Sequence, residues 1–148
     1  LDLMVKKVKR EDYIKSAEVL NELGIEMYAS FMFFMPRETI ADFKETISLM
    51  HTLKKTNPNI LLQNCIFIPL PATKMFKDAI ALGYKPPTTL KGWAARSTTA
   101  RIEERNDITW MNKSTLDEYT KIYKEEFGDY KNAFEKEKTG EYVSPIHD

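Results

Sequence analysis

The chain has 148 residues, enough for one ordinary domain, and 43% apolar with 30% charged residues excludes an intrinsically disordered chain. Twenty-two basic and twenty-two acidic side chains leave no net charge, which excludes the positive surplus that nucleic-acid backbones require. The longest apolar runs, Met27–Pro36 and Ile66–Pro71, fall short of the ~20 residues of a membrane helix, so no membrane span is predicted. A single cysteine, Cys65, forms no internal disulfide and supplies no zinc or iron–sulfur site by itself, which predicts a reducing, cytoplasmic setting.

The first predicted helix is Glu11–Leu23, where Ile14, Ala17, Leu20 and Leu23 recur at threes between charges. Gly24 follows as a left-handed helix stop. Ile25–Met35 is apolar almost without alternation, which predicts a strand buried on both faces of a parallel sheet and closed by Pro36. Thr39 with Asp42 opens a second helix, striped by Ile40, Phe43, Ile47, Met50 and Leu53, and running to Lys55 before Asn57-Pro58. A second apolar strand, Ile60–Ile68, stops at Pro69. The order α–β–α–β is that of an α/β fold with parallel strands joined by crossover helices.

The remainder changes character. Lys74–Leu82 predicts a short helix with Met75, Phe76, Ala79 and Ile80 inward and Gly83 as its stop. Leu90–Ala95 predicts a single turn carrying Trp93, and Arg96–Asn112 is polar without a clear period. Ser114 with Asp117 opens a last helix, in which Leu116, Tyr119, Tyr123, Phe127, Tyr130 and Phe134 make one aromatic stripe. The tail Thr139–Asp148 reads as loose. Two α/β units neither close a barrel nor make a stable sheet by themselves, so the pattern predicts part of something larger.

Two strand ends carry a family resemblance. The first is Phe33-Phe34-Met35-Pro36-Arg37-Glu38-Thr39, and the second is Ile68-Pro69-Leu70-Pro71-Ala72-Thr73, followed by Leu82-Gly83 and Leu90-Lys91-Gly92-Trp93. Together they resemble the C-terminal half of the radical S-adenosylmethionine core, closest to the cobalamin-binding-domain group. Members of that group share a Gly-Phe-Pro-Gly-Glu-Thr strand end and a later Pro-x-Pro-Gly-Thr turn. A Trp follows that turn some twenty residues on, as Trp93 follows Thr73 here. The resemblance covers Lys9 to Trp93. It implies a partial TIM barrel, its last β/α units at residues 1–95, followed by a helical extension at 96–148.

By that resemblance Ser30, Met32, Phe34 and Glu38 are aligned with the Gly-x-Ile-x-Gly-x-x-Glu pattern, Glu38 standing one residue beyond the spacing of its Glu; the pattern's backbone and apolar side chains hold the adenine of S-adenosylmethionine. Ile66–Leu70, and in it Ile68, Pro69 and Leu70, match the next strand end, which meets the adenine from the other side. Trp93, Arg96 and Arg101 are weaker candidates for a substrate cavity shaped by the segment after the barrel. Phe34, Arg37 and Ala72 stand where the family has glycines. A side chain at Phe34 is expected to crowd the adenine, and Arg37 to need an ordinary backbone conformation. The barrel-facing residues are expected to include Met27, Phe31, Phe33 and Phe67.

The family's Cys-x3-Cys-x2-Cys loop, which holds its 4Fe-4S cluster, is absent from these 148 residues. The expectation is therefore that strands one to four and that loop lie upstream of Leu1. S-adenosylmethionine and the cluster, with cobalamin possible, would belong to the parent protein, and none is expected to bind tightly to this chain alone. Partners are then the missing N-terminal half of the barrel and a small-molecule substrate, with reaction and substrate unwritten here. The rival class is a non-catalytic α/β remnant or interaction module that kept the fold and lost the cluster.

Plainer roles stand beside these. Glu38 reads equally as a ligand-binding carboxylate and as the acid of a helix's first turn. Arg37 reads as a surface or ion-pairing residue, and Cys65 as an inert apolar-strand cysteine. His51 and His147 have no partner at metal-ligand spacing and read as structural or solvated.

Overall fold

The computed structural model describes residues 8–94, 102 and 105–128. They form a mixed α/β structure in the order α1 (Arg10–Glu22), β1 (Tyr28–Phe33), α2 (Ile40–Thr56), β2 (Leu61–Ile66), α3 (Lys74–Ala81), α4 (Leu90–Ala94) and α5 (Lys113–Phe127). β1 and β2 pair in parallel, in a register running from Tyr28 opposite Leu61 to Phe33 opposite Ile66. The ladder extends one bond past each end, Leu61 N–H donating to Met27 at 2.8 Å and Phe67 N–H to Phe33 at 2.9 Å.

Both strands are shorter than their apolar runs. At the start, Ile25 N–H is drawn to Leu20 at 2.9 Å as part of the α1 stop, so the chain is still turning out of the helix. Gly24 takes the left-handed conformation expected of it, φ 65°. At the other end Phe34 has φ 62°, which breaks the extended backbone before Met35.

The helices pack on one face of the sheet. Met27, Ala29, Phe31 and Leu62 meet Ala17 of α1 and Leu53 of α2. Phe33 and Ile66 join Phe43, Ile47 and Met50 of α2 and Tyr119 and Tyr123 of α5. On the opposite face Tyr28 is 56% and Met32 38% exposed, and Ser30 and Gln63 share a 3.0 Å hydrogen bond there. The expectation of strands buried on both faces is thus corrected among the described residues. Met27, Phe31 and Phe33, expected to face a barrel, face the helices instead, because the two-residue period of the strand gives that face to Tyr28, Ser30 and Met32.

Local chemistry sets the helix starts. Thr39 Oγ1 accepts from Asp42 N–H at 3.2 Å while Asp42 accepts Thr39 N–H at 2.8 Å, the reciprocal box that the sequence predicted. Thr73 caps α3 by accepting Phe76 N–H at 3.1 Å. α5 is capped by Asn112, whose Oδ1 accepts Thr115 N–H at 2.9 Å, rather than by Ser114, which lies inside the first turn. In α3 Ala79 is buried and Met75 and Phe76 partly so, but Ile80 is 44% exposed, not inward. The stripe of α5 packs as expected through Leu116, Tyr119, Tyr123 and Phe127, whereas Tyr130 and Phe134 lie outside the described residues. Ile108, Trp110, Tyr119 and Tyr123 share one core with Phe33, Phe34 and Phe43, so the hydrophobic core runs across the expected boundary at 95/96.

Candidate functional site

The carboxyl ends of β1 and β2 lie side by side, and each leads into a turn of the same build. In Met35-Pro36-Arg37-Glu38 the Glu38 N–H returns to Met35 at 3.2 Å; in Leu70-Pro71-Ala72-Thr73 the Thr73 N–H returns to Leu70 at 3.4 Å. Proline sits second in each, and the third residue is left-handed, Arg37 at φ 65° and Ala72 at φ 67°. A type II turn requires this, and glycine is its usual third residue. A threonine then caps the next helix, Thr39 directly after the first turn and Thr73 as the last residue of the second.

The ordinary backbone expected at Arg37 is therefore corrected. Among the described residues, the non-glycine positions with positive φ are Phe34, Arg37 and Ala72. Left-handed geometry costs a residue with a Cβ about 1–2 kcal/mol, so the surroundings must hold it. Phe34 is held by its ring. The reversal at φ 62° sends its side chain to the helix side, fully buried, with ring centroids 5.9 Å from Phe43, 5.9 Å from Tyr119 and 5.4 Å from Tyr123. Phe33 and Phe34 thus enter one aromatic core, and the Phe34 side chain does not stand on the open strand face.

Glu38 holds the first turn from inside. It lies before the N-cap of α2, not in the helix's first turn, and is 7% exposed. Its Oε2 accepts Met35 N–H at 3.2 Å, whereas Oε1 is buried with no partner. Burial pushes its pKa from 4.5 up to about 7, with the backbone N–H groups of Met35 and Phe34 pulling the other way and Asp42 adding repulsion. The Tyr119 hydroxyl is also buried without a partner, and its pKa is raised by burial and then by the charge of Glu38.

The segment before α5 closes these strand ends. Arg105, buried, donates through Nη2 to the Phe67 carbonyl at 2.8 Å and through Nε to the partly buried Asp107 at 2.7 Å. Trp110 Nε1 donates to the Phe34 carbonyl at 2.9 Å, and Asn64 on β2 donates to the Tyr123 hydroxyl at 2.8 Å. Sequence reasoning missed Arg105, Asp107 and Trp110. Their segment has no period; Arg105 and Trp110 act through contacts with distant strand ends, and Asp107 through Arg105.

The sequence candidates fall into three places. Ser30 and Met32 lie on the exposed face of β1; Phe34, Glu38, Ile68 and Pro69 gather at the strand ends, Pro69 fully buried; Leu70 beside them is 58% exposed. Trp93 on α4 is half-buried against Phe76 of α3, ring centroids 6.4 Å apart, and joins neither group. Arg96 and Arg101 lie outside the described residues. Burial pushes the Cys65 thiol up, away from nucleophilic reactivity. His51 of α2 pairs with Glu126 of α5. Among the described residues no group of three or more His, Cys, Asp or Glu side chains is placed to hold a metal ion, and no helix is long and apolar enough to cross a membrane.

Compared with family models, with curated proteins and with solved structures, the chain matches none.

Proposed function

We propose that the chain supplies the last two strands of a radical S-adenosylmethionine barrel, with the adenine read at the carboxyl ends of β1 and β2. The observation that carries this reading is backbone conformation. Phe34, Arg37 and Ala72 occupy three of the four positions at which the resembled motifs have glycine, Ser30 within β1 being the fourth, and these three are left-handed. Side chains have been substituted while the glycine geometry has been kept. The carboxyl ends of parallel strands are also where such folds place ligands.

In this reading Ser30 and Met32 line the open face, and the turns at Phe34–Glu38 and Ile68–Leu70 present backbone to the adenine. The 4Fe-4S cluster does not fit these residues. Cluster binding takes several thiolates, and Cys65 is the chain's one cysteine, set within β2. The cluster loop, the first strands and the cytoplasmic setting are thus proposed for a parent protein, in which this chain binds and orients but holds no iron.

The test begins with the coding sequence upstream of Leu1. A Cys-x3-Cys-x2-Cys loop within about 200 residues, the scale of a barrel, is expected. The full product, reconstituted without oxygen, should then carry one cluster and cleave S-adenosylmethionine reductively. The 148-residue chain alone should bind no iron. An upstream frame without such a loop, or iron and sulfide held stoichiometrically by the chain alone, would overturn the reading. The non-catalytic module would then replace it.

A further inference from the structure

We propose that the surface formed by α3, α4 and the loop between them docks on the anionic headgroups of a lipid membrane. This goes beyond the function proposed above and does not rest on it.

Zero net charge conceals a local imbalance. Residues 70–101 hold six of the chain's twenty-two basic side chains and one of its twenty-two acidic ones, Asp78. Of the six, Lys74, Lys77, Lys85 and Lys91 lie among the described residues, and all four are exposed. Asp78 is shared by Lys74 at 3.3 Å and Arg37 at 3.5 Å, which brings a fifth cation to the patch from the turn after β1. Among the described residues Lys77, Lys85 and Lys91 form no ion pair. An uncompensated cluster of this kind attracts a negative partner.

Apolar side chains stand among these cations. α3 packs Met75, Phe76 and Ala79 inward and leaves Lys77 and Ile80, neighbours on its surface, exposed. Leu82, just past its end, is exposed too. Trp93 lies against Phe76, ring centroids 6.4 Å apart, and so sets α4 beside α3. From the first position of α4 Leu90 projects, 89% exposed, with exposed Lys91 next to it. Lysine stems lie along apolar surface while their ammonium groups reach outward, which is the pattern of surfaces that sit at a headgroup boundary.

Two features favour a membrane over an acidic polypeptide. The four cations of the α3–α4 stretch are lysines, point charges that need no fixed partner geometry, whereas carboxylates held in a protein interface are matched best by the arginine fork. Leu90 stands out into solvent, and a fluid lipid boundary admits a protruding side chain where a protein must supply a fitted pocket.

Vesicle flotation of the full chain tests this, because self-associated protein does not float without lipid. Phosphatidylcholine vesicles containing phosphatidylserine should carry the chain upward, and phosphatidylcholine alone should not. Binding should weaken several-fold as salt rises from about 0.1 to about 0.5 M. Lys77→Gln and Lys91→Gln should each weaken it about fivefold. Leu90→Ser, at a side chain too exposed to matter for folding, should weaken it roughly tenfold. The dependence on lipid charge and salt needs no variant. No flotation with phosphatidylserine, or equal flotation with uncharged vesicles, would overturn the proposal. So would a loss caused by Met32→Lys, on the open sheet face, and not by the lysine variants. Binding to poly-glutamate without binding to vesicles would replace the membrane with an acidic protein partner.

Discussion

The Trp110 indole donates to the Phe34 carbonyl across 2.9 Å, joining residues 76 apart in sequence. It is the bond by which the segment before α5 reaches the end of β1. It also answers a carbonyl that the left-handed turn at Phe34 takes out of the strand ladder.

Trp110→Phe should keep most of the ring packing on Phe67 and Tyr84 and lose this bond. A buried carbonyl left without a donor costs about 1–3 kcal/mol. The urea midpoint should fall correspondingly with its slope unchanged. An unchanged midpoint would mean that water serves the carbonyl equally well.

The three left-handed residues should respond differently to glycine. At exposed Arg37 and Ala72, glycine relieves backbone strain of about 1–2 kcal/mol, partly offset by greater freedom of the unfolded chain. Each substitution should leave stability unchanged or raise it by up to about 1 kcal/mol. Arg37→Gly also gives up a largely exposed ion pair with Asp78, a small loss. Phe34→Gly relieves the same strain but empties a buried aromatic site, and large-to-small changes there cost about 3–5 kcal/mol. Urea midpoints for the three variants test the contrast, and a stabilised Phe34→Gly would sink it.

Stability should fall as pH rises through weak acid. Glu38 has a folded pKa of about 7 against an ordinary 4.5, so it holds its proton more tightly folded than unfolded. Below about 4.5 both states are protonated and its contribution is complete. Between 4.5 and 7 that contribution drains away, by roughly 3 kcal/mol in all, and above 7 the loss is finished. Asp42 works in the opposite sense at lower pH. Thr39 holds its carboxyl below the usual range, so its contribution is lost only as acid protonates it in the folded state. Thermal melts from pH 4 to 8 should show the decline in wild type and not in Glu38→Gln.

The start of α5 distinguishes two caps. Asn112→Ala should cost about 1 kcal/mol, because Thr115 N–H loses its acceptor. Ser114→Ala, inside the first turn, should be nearly neutral. Equal losses would return the cap to Ser114.

The uncovered sheet face should make the chain self-associate. Among the described residues each strand has one unpaired edge, and Tyr28 and Met32 expose apolar surface on that face. Sedimentation of the 148-residue chain is expected to show concentration-dependent association, reduced by Met32→Lys. A monodisperse monomer throughout would mean that this face is satisfied as it stands.

The sequence by itself determined what is local. The α1, α2 and α5 stripes are written in steps of three and four, the box at Thr39 and Asp42 in two side chains, and the stop at Gly24 in one. These interactions span a few residues, so spacing alone encodes them. Parallel pairing of two strands about one crossover helix was also legible, because an apolar run on each side of α2 leaves little other arrangement.

Only the tertiary structure decided which side of the strands is covered. Apolar residues on both faces of β1 read alike in sequence, yet Phe31 and Phe33 meet helices whereas Tyr28 and Met32 do not. It also decided that Phe34, Arg37 and Ala72 keep glycine's conformation without being glycine. At Phe34 that depends on the rings packed against it, partly supplied by α5, and in the Arg37 turn on a buried Glu38. Arg105 and Trp110 were invisible for the same reason. Their partners, the Phe67 and Phe34 carbonyls, are backbone atoms present at every position, and only folding selects these two.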